Sequence, residues 1–362
     1  MTLRQSPLRD AHEAAGADFT DFGGWEMPVD FDSIRTEHAA VRETAGKFDV
    51  SHMGQVVVGG PDAARLTGRL TTNDVRELAP GEAQYAAVTD EEGVMLDDTV
   101  VYRLPRARDG EYLFVPNAGH DAELADRWVS HRDRWDLDAT VENRTEAYAM
   151  VAVQGPDARD LVDREAEADL GALARFEATA TRVAGADALV ARTGYTGEDG
   201  VEVICDVEDA GAVWSAADCR PCGLGARDTL RIEAGFLLSG QDFHPEAEPR
   251  TPYEAGIGFA VDLETEFVGR DALAAVAEDG PAESLLGLTL DERGVPRHGY
   301  RAESPDGEEI GHVTSGTMSP TLGEPVGLAY LPRAYDDPGR EVRVVVRDEP
   351  KKAHVTATPF LP

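Results

Sequence analysis

Residues 93–104 read GVMLDDTVVYRL, and this segment is the most informative part of the chain. Its composition predicts a β-strand, in which successive side chains point to opposite faces. One face would carry Val94, Leu96, Asp98, Val100, Tyr102 and Leu104, and the other would carry Met95, Asp97, Thr99, Val101 and Arg103. Asp98 is therefore the only carboxylate on an otherwise apolar face.

A carboxylate in such a place needs compensation, because a buried charge is costly unless it is paired, hydrogen-bonded or protonated. A buried donor could pair with Asp98 in a purely structural role. Alternatively, Asp98 meets a ligand, as a general base or as a stabiliser of positive charge. We favour the functional interpretation. A β-bulge in the strand would exchange the two faces and make Asp97 the candidate.

The neighbouring segments extend the strand pattern. Residues 83–88 and 112–116 are further short apolar runs between Gly-containing and acidic turns, which predicts an antiparallel sheet. Helices are predicted from an N-cap at Ser33 to a stop at Gly46, from Pro61 to about residue 69, over 121–135 and over 227–233. The chain therefore has the mixture of elements that is typical of an α+β fold.

The C-terminal part of the chain has a different pattern. A stretch rich in Ala, Glu, Gly and Pro over residues 274–284 predicts a linker. Beyond it, GLTL, GHVTSG, VGLAYL and EVRVVVR are short strand-like runs separated by many Gly and Pro turns. We therefore expect a separate all-β domain after the linker.

The composition bounds the function. A chain of 362 residues with 42% hydrophobic and 28% charged residues fits a globular protein of two or three domains. Its net charge is −35, so neither nucleic acid nor anionic membrane is an expected partner. We interpret the acidic excess as a halophilic adaptation to molar salt, where screening acts over about 3 Å. The sequence shows no secretion signal or membrane span, and we expect a cytoplasmic protein.

The cysteines and glycines give no cofactor signature. Cys219 and Cys222 form a lone CxxC, whereas a zinc site needs four ligands, so we expect no metal. The glycine-rich run at 223–225 lacks the third glycine of a dinucleotide-binding loop, and no Walker A motif occurs.

Two further polar positions are ambiguous by pattern alone. Glu202 alternates with Val201 and Val203 on a predicted strand, where a polar outward residue is ordinary. Arg227 and Asp228 follow a glycine-rich turn at the start of a helix, and the helix dipole already explains Asp228. Neither pattern decides between a structural and a functional role.

Eight motifs occur in a fixed order along essentially the whole chain. They are WEMPV (25–29), FDVSHMG (48–54), LTTNDV (70–75), VMLDDTVVYR (94–103), VQGP (153–156), RTGYTGEDG (192–200), GLGARDTLRIEAG (223–235) and TSGTMSPTLG (314–323). Together they resemble the glycine cleavage T-protein family, whose members are aminomethyltransferases. Eight long motifs in the family's order are far more specific than any single short pattern.

The resemblance implies a three-domain cloverleaf around a central folate channel. Residues 1–273 would form a folate-binding region of two interleaved antiparallel-sheet subdomains, about 1–52 with 146–273, and 53–145. Residues 284–362 would form a C-terminal β-barrel. The implied reaction passes the one-carbon unit of the aminomethyl group, carried on the lipoyl arm of H protein, to tetrahydrofolate and releases ammonia. The expected partners are thus lipoylated H protein and tetrahydrofolate.

The same motif match implies roles for individual residues. Asp98 corresponds to the family's catalytic carboxylate, and it is also the residue that the face pattern selects. Glu202 corresponds to the acidic residue that pairs with the pterin amino group and ring nitrogen. The other folate contacts implied by the resemblance are Tyr85, Tyr195, Met53, Asn117 and Arg227, and the partner of Arg227 would be either the substrate or Asp98.

Two other functions are known on this fold. One is a non-enzymatic folate-binding protein of iron–sulfur cluster maintenance, whose KGCYxGQE loop is replaced here by RTGYTGEDG without the cysteine. The other is a folate-dependent demethylase of small N- or S-methyl compounds, and the absence of a fused flavin domain disfavours its oxidative forms. Both remain alternatives to aminomethyl transfer at this stage.

Overall fold

The computed structural model describes residues 2–106, 108 and 110–361, which form an α+β fold. The helices are α1 (Arg9–Ala14), α2 (Ile34–Glu43), α3 (Ala63–Leu70), α4 (Asp121–Arg134), α5 (Ala158–Asp163), α6 (Ala210–Ala216), α7 (Leu224–Ala234) and α8 (Arg270–Asp279). The strands are β1 (Arg4–Gln5), β2 (Asp18–Phe22), β3 (Trp25–Asp30), β4 (Gly46–Asp49), β5 (Val56–Gly59), β6 (Ala83–Thr89), β7 (Met95–Arg103), β8 (Tyr112–Phe114), β9 (Thr140–Asn143), β10 (Tyr148–Gln154), β11 (Ala178–Val183), β12 (Ala186–Ala191), β13 (Gly200–Asp206), β14 (Arg220–Pro221), β15 (Glu283–Leu290), β16 (Arg301–Glu303), β17 (Glu309–Met318), β18 (Pro325–Pro332), β19 (Glu341–Val346) and β20 (Glu349–Thr356). None of these helices has the length and apolar character needed to cross a membrane.

The first large sheet contains the Asp98 strand, β7, at its second position. Its strand order is β6-β7-β8-β5-β9, and all neighbouring strands are antiparallel. The antiparallel strands predicted at 83–88, 94–104 and 112–116 are thereby confirmed. One face of the sheet packs against α3 and α4, where the fully buried Trp128 stacks on Phe114 with ring centroids 4.2 Å apart.

The second large sheet has the order β11-β12-β13-β10-β4-β14. Strand β14 runs parallel to β4, so the sheet is mixed, and the expectation of a purely antiparallel sheet is wrong at this edge. The reason is the connection: the chain returns to β4 after α6 and joins the edge in the same direction, as a crossover rather than a hairpin.

The two large sheets face each other across one buried cluster. Tyr102 and Leu113 of the first sheet share this cluster with Phe48 and Ile204 of the second. Tyr102 lies four residues after Asp98 on β7, and residues two or four apart on a strand share a face. The face of β7 that carries Asp98 therefore points into the interface between the sheets.

A third, small sheet precedes the others and was not predicted. Its order is β1-β3-β2, with β1 parallel to β3. Trp25 and Met27 of β3 are buried against Leu224 at the start of α7. The N-terminal segment is thus attached to the helix that carries Arg227.

The C-terminal strands close into a barrel in the order β15-β18-β17-β16-β19-β20. The predicted all-β character of this region is confirmed, and the stretch predicted as a linker, 274–284, begins as a helix rather than as an irregular segment. Helix α8 continues to Asp279, and β15 begins at Glu283. The alanines of this stretch favour a helix, Leu273 anchors it at zero exposure, and Gly280 ends it with a φ of 79°.

Helix α7 joins the two-sheet region to the barrel. Its Arg231 forms a fully buried ion pair with Asp242, with 2.7 Å between Nη1 and Oδ2. Ser315 of β17 donates to Asp242 and accepts from Arg231, so both ends of the pair are tied to the barrel.

The same helix makes a second buried link two residues later. The Glu233 carboxylate lies 2.9 Å from His38 Nε2 of α2 and accepts a hydrogen bond from Arg42 of the same helix. It also accepts a hydrogen bond from Ser319, next to the end of β17. These bonds hold the pKa of Glu233 low, at about 2, despite burial.

Candidate active site

Asp98 is buried at the interface between the sheets and is held by neutral donors. It is paired with Ala87 across the β6–β7 ladder, and Tyr85, two residues away on β6, donates its hydroxyl hydrogen to Asp98 Oδ2. Asn117 donates from Nδ2 to Asp98 Oδ1 at 2.6 Å. Two neutral hydrogen bonds thus fix the orientation of a carboxylate that is only 9% exposed.

A second carboxylate lies beside the first. Asn117 Nδ2 also donates to Asp97 Oδ1 at 2.7 Å, and the Asn117 backbone N–H donates to Asp97 Oδ2 at 3.0 Å. Burial, followed by repulsion from Asp97, raises the pKa of Asp98 to about 6, although the bonds from Tyr85 and Asn117 act in the opposite direction. Asp98 is therefore a carboxylate whose charge changes close to neutral pH.

The strand contains the irregularity that the sequence analysis allowed for. Val88 pairs with Asp97 and Thr89 pairs with Met95, so Leu96 is an extra residue in the ladder. Leu96 consequently packs into the cluster beneath α3 and α4, whereas Met95 packs on the Tyr85 side of the sheet. Before Asp97 and Asp98, the two faces of the strand are therefore the reverse of those predicted, and the prediction that Leu96 shares a face with Asp98 is wrong. From Asp98 onward the faces are as predicted.

Glu202 occupies the corresponding interface position on the second sheet. Its neighbours Val201 and Val203 point to the outer core of that sheet, so Glu202 points towards the five-stranded sheet. Thr193 donates a hydrogen bond to Glu202 Oε2 at 2.5 Å, and the hydroxyl of Tyr102 lies 3.2 Å from that of Thr193. Burial raises the pKa of Glu202, and only the Thr193 bond and the charge of Arg227 oppose this.

Arg227 lies in the first turns of α7 with its guanidinium against an aromatic ring. Its Cζ is 4.1 Å from the centroid of the Tyr195 ring, and the residue is 9% exposed. In the described part of the chain, no side-chain hydrogen bond or ion pair of Arg227 is present. Burial accordingly lowers its pKa, which the nearby Tyr195 and Glu202 partly offset. A buried cation in this state is well suited to an anionic or electron-rich ligand.

The remaining predicted residues are in the same region. Tyr195 donates its hydroxyl hydrogen to the Leu237 carbonyl, and Asp98 is near enough that its charge adds to burial in raising the pKa of Tyr195. Met53 is partly buried against the cluster between the sheets. All seven predicted site residues therefore line or adjoin one interface, grouped around Asp98 and around Glu202.

Three residues that the sequence analysis did not single out also belong to this region. Thr193 holds Glu202, as described above. Phe259 is 78% exposed and stacks on the Tyr85 ring with centroids 6.0 Å apart. His52 is fully buried, and neither of its ring nitrogens has a partner within the described residues. Burial, followed by the charge of Arg227, lowers the pKa of His52 to about 3, so it is a neutral imidazole.

The residue types give no indication of a metal centre. No group of three or more His, Cys, Asp or Glu side chains in the described residues is arranged to hold a metal ion. Cavities of about 990, 610 and 420 Å³ lie elsewhere, the largest at the barrel, and none is lined by the seven predicted residues. The central folate channel implied by the resemblance therefore stays a prediction.

Comparisons with known proteins cover the whole chain. Residues 8–265 match the GCVT N-terminal domain, and residues 284–361 match the glycine cleavage T-protein C-terminal barrel domain. A probable aminomethyltransferase of Haloarcula marismortui is 68% identical, over 100% of this chain and 99% of the relative. The aminomethyltransferase of Bacillus subtilis is 44% identical over 99% of both chains. A crystal structure of glycine cleavage system aminomethyltransferase T from Bartonella henselae superposes with a TM-score of 0.91 at 30% identity, covering 99% of this chain and 98% of the other.

Proposed function

Because this chain belongs to the glycine cleavage T-protein family and is an aminomethyltransferase, we propose that its reaction depends on the buried carboxylate of Asp98. Membership of the family implies the use of tetrahydrofolate and an interaction with H protein. The two alternative functions considered from the sequence are not supported, since the curated relatives quoted above carry the aminomethyltransferase name. A haloarchaeal relative with high identity agrees with the halophilic interpretation of the acidic surface.

The proposed reaction takes the aminomethyl group from the sulfur of a lipoyl arm on H protein. The carbon–sulfur and carbon–nitrogen bonds of that group break, and the carbon forms bonds to N5 and N10 of tetrahydrofolate. The hydrogens of N5 and N10 balance the two leaving groups, one on ammonia and one on the lipoyl thiol. The carbon passes through an iminium-like state, so positive charge develops beside the folate nitrogens.

Asp98 is suited to stabilising that charge. A pKa of about 6 leaves it ionised above neutral pH, and the bonds from Tyr85 and Asn117 fix its direction before the substrate arrives. Preorganised groups aimed at developing charge in a water-poor site are among the largest contributors to catalysis. We therefore assign Asp98 an electrostatic and orienting role rather than that of a strong base, since the leaving amine can itself carry a proton.

The second group of residues is proposed to hold the folate. Thr193 occupies only Oε2 of Glu202, and no described hydrogen bond reaches Oε1, so the carboxylate retains acceptor capacity for the pterin amino group and ring nitrogen. Arg227 has a buried guanidinium with no described polar side-chain partner, which suits a polar part of the substrate. The rings of Tyr85 and Tyr195 supply flat apolar surface for the pterin or benzoyl ring, while Met53 and Asn117 complete the site.

The domain boundaries are part of the same proposal. The five-stranded sheet uses residues between Val56 and Asn143, and the six-stranded sheet uses residues before and after that range. This arrangement supports two interleaved subdomains, about 1–52 with 146–273, and 53–145, followed by the barrel from residue 284. The substrate would then lie between the two large sheets, in the region towards which Asp98 and Glu202 point.

The observation that carries the proposal is the buried Asp98 held by Tyr85 and Asn117. Its test is the Asp98→Asn variant, incubated at molar salt with tetrahydrofolate and aminomethylated H protein while methylene-tetrahydrofolate and ammonia are measured. We expect turnover to fall roughly 10²- to 10³-fold, the usual effect of removing a group aimed at developing charge, while calorimetry shows unchanged tetrahydrofolate binding.

Asp271→Asn serves as the matched control, because the Asp271 side chain is 98% exposed on α8. This variant should keep both turnover and folate binding. Near-normal turnover of Asp98→Asn would refute the proposal, and loss of folate binding without loss of the folded state would assign Asp98 to binding instead.

A further inference from the structure

A series of polar contacts connects Asp98 to a partly exposed histidine. His120, immediately before α4, has Nδ1 3.2 Å from Asp97 Oδ1, and its side chain is 31% exposed. Asp97 is fully buried and shares the Asn117 amide with Asp98, whose other oxygen accepts from Tyr85. The order of groups is therefore His120, Asp97, Asn117, Asp98 and Tyr85, from the surface to the interface.

Asp97 and Asp98 differ in whether a basic side chain contacts them. Asp98 has only neutral hydrogen-bond donors, so its own contacts contain no cation to offset Asp97. Asp97 has one ionisable basic partner in the described residues, His120. The other titratable groups that act on these residues are Glu123 of α4, beside His120, and Tyr195, on the side of the second sheet. Both are acids, and neither supplies positive charge to the two carboxylates.

We propose that His120 is a positioning residue that, by its charge, offsets Asp97 and thereby sets the pH range in which Asp98 is an anion. The proposal rests on the catalytic role assigned to Asp98. The hydrogen bond to Asp97, opposed by burial, raises the pKa of His120, so its protonated form persists at pH values where Asp98 ionises. Without that positive charge, two adjacent carboxylates would have to be charged together in a buried site.

The direction of the effect follows from this arrangement. Replacing His120 with glutamine keeps a hydrogen-bond donor for Asp97 and removes the positive charge. The negative charge of Asp97 is then no longer offset by a positive charge. Asp98 should therefore keep its proton up to a higher pH than in the wild type. The acidic limb of the turnover profile should move upward by about one pH unit, as expected for a unit charge acting through a partly screened interior.

The experiment measures turnover of wild type, His120→Gln and a matched control at molar salt over about pH 5–9. This range covers the pH values at which the histidine and Asp98 change charge. The control is His354→Gln, because His354 Nδ1 also lies close to an aspartate, 2.9 Å from Asp291 Oδ1, but in the barrel. We expect the midpoint of the acidic limb to move only in His120→Gln. A uniform loss of turnover at every pH, with an unmoved midpoint, would show a merely structural role and overturn the proposal.

A second measurement separates this inference from the function on which it rests. Carboxyl ¹³C resonances of labelled aspartates report the protonation of Asp98 directly, with the resonance assigned by its loss in Asp98→Asn. If the Asp98 titration does not move in His120→Gln, the inference is wrong even if Asp98→Asn is inactive. If the Asp98 titration moves in His120→Gln while Asp98→Asn remains active, the effect of His120 on Asp98 is confirmed but the catalytic role of Asp98 is wrong. In an Asp97→Asn background, His120→Gln should not move the Asp98 titration further, because the charge that His120 offsets is already absent.

Discussion

Asp98→Asn should make the folded protein more stable at alkaline pH while it removes activity. The amide has nearly the shape of the carboxylate and can satisfy the same neighbours. Its oxygen can accept from Asn117, and its NH₂ group can donate to the oxygen of the Tyr85 hydroxyl. Neither partner is left without a hydrogen bond, and repulsion from Asp97 disappears.

The magnitude follows from the raised pKa of Asp98. An ordinary aspartate has a pKa of 3.8, and Asp98 has one of about 6 in the folded state. Below about pH 4, Asp98 is protonated in both the folded and the unfolded chain, and between 4 and 6 only the folded chain retains the proton. Wild type therefore loses stability as the pH rises through this window, by about 3 kcal/mol in all, and the asparagine variant does not.

The assay is urea unfolding of both proteins between about pH 4 and 8 at constant molar salt, a range that spans the ordinary and the raised carboxyl pKa. The difference in free energy of unfolding should be near zero at the acidic end and approach about 3 kcal/mol in favour of the variant at the alkaline end. Asp271→Asn should remain within about 0.5 kcal/mol of wild type throughout. A difference that is flat across pH, or a less stable variant at pH 8, would refute the electrostatic description of the site.

Two further changes test the other parts of the site and its support. Glu202→Gln keeps the Thr193 bond but loses a charge-assisted bond to the substrate, so calorimetry should show tetrahydrofolate binding weakened roughly 10- to 100-fold with no loss of Tm; unchanged affinity would remove Glu202 from the folate site. Asp242→Asn removes the buried counter-charge of Arg231 and leaves it only the half-exposed Asp228, so urea unfolding should show a loss of about 3–5 kcal/mol. A loss below about 1 kcal/mol would mean that the ion pair does not hold α7 to the barrel.

The parts of the fold that depend on local pattern were predictable. Alternation along 93–104 placed Asp98 on an apolar face, because each residue's face depends only on its neighbours in the strand. The bulge at Leu96 was foreseen only as a possibility, since it depends on how β6 pairs with β7. The helical start of the predicted linker was missed because alanine-rich composition alone does not show that Leu273 is buried as a helix anchor.

The parts of the site that depend on distant contacts were not predictable from pattern. Glu202 was ambiguous because alternation does not reveal that its face of the sheet meets a second sheet rather than solvent. Thr193 and His120 were missed because their roles come from contacts with Glu202 and Asp97, which are separated from them in the chain and brought near by folding. Family motifs supplied residue roles where the spacing of residues left them open.

Helix α7 has a consequence for how the molecule can be divided. It presents Arg227 to the region between the sheets, while its next turns direct Arg231 and Glu233 into contacts with the barrel. A fragment lacking the barrel would expose to water the polar groups of Arg231 and Glu233 that are now buried. The segment that carries Arg227 would also lose the contacts that support it. We therefore expect that the C-terminal barrel cannot be removed without destabilising the segment that carries Arg227, and that engineering has to treat the two regions as one unit.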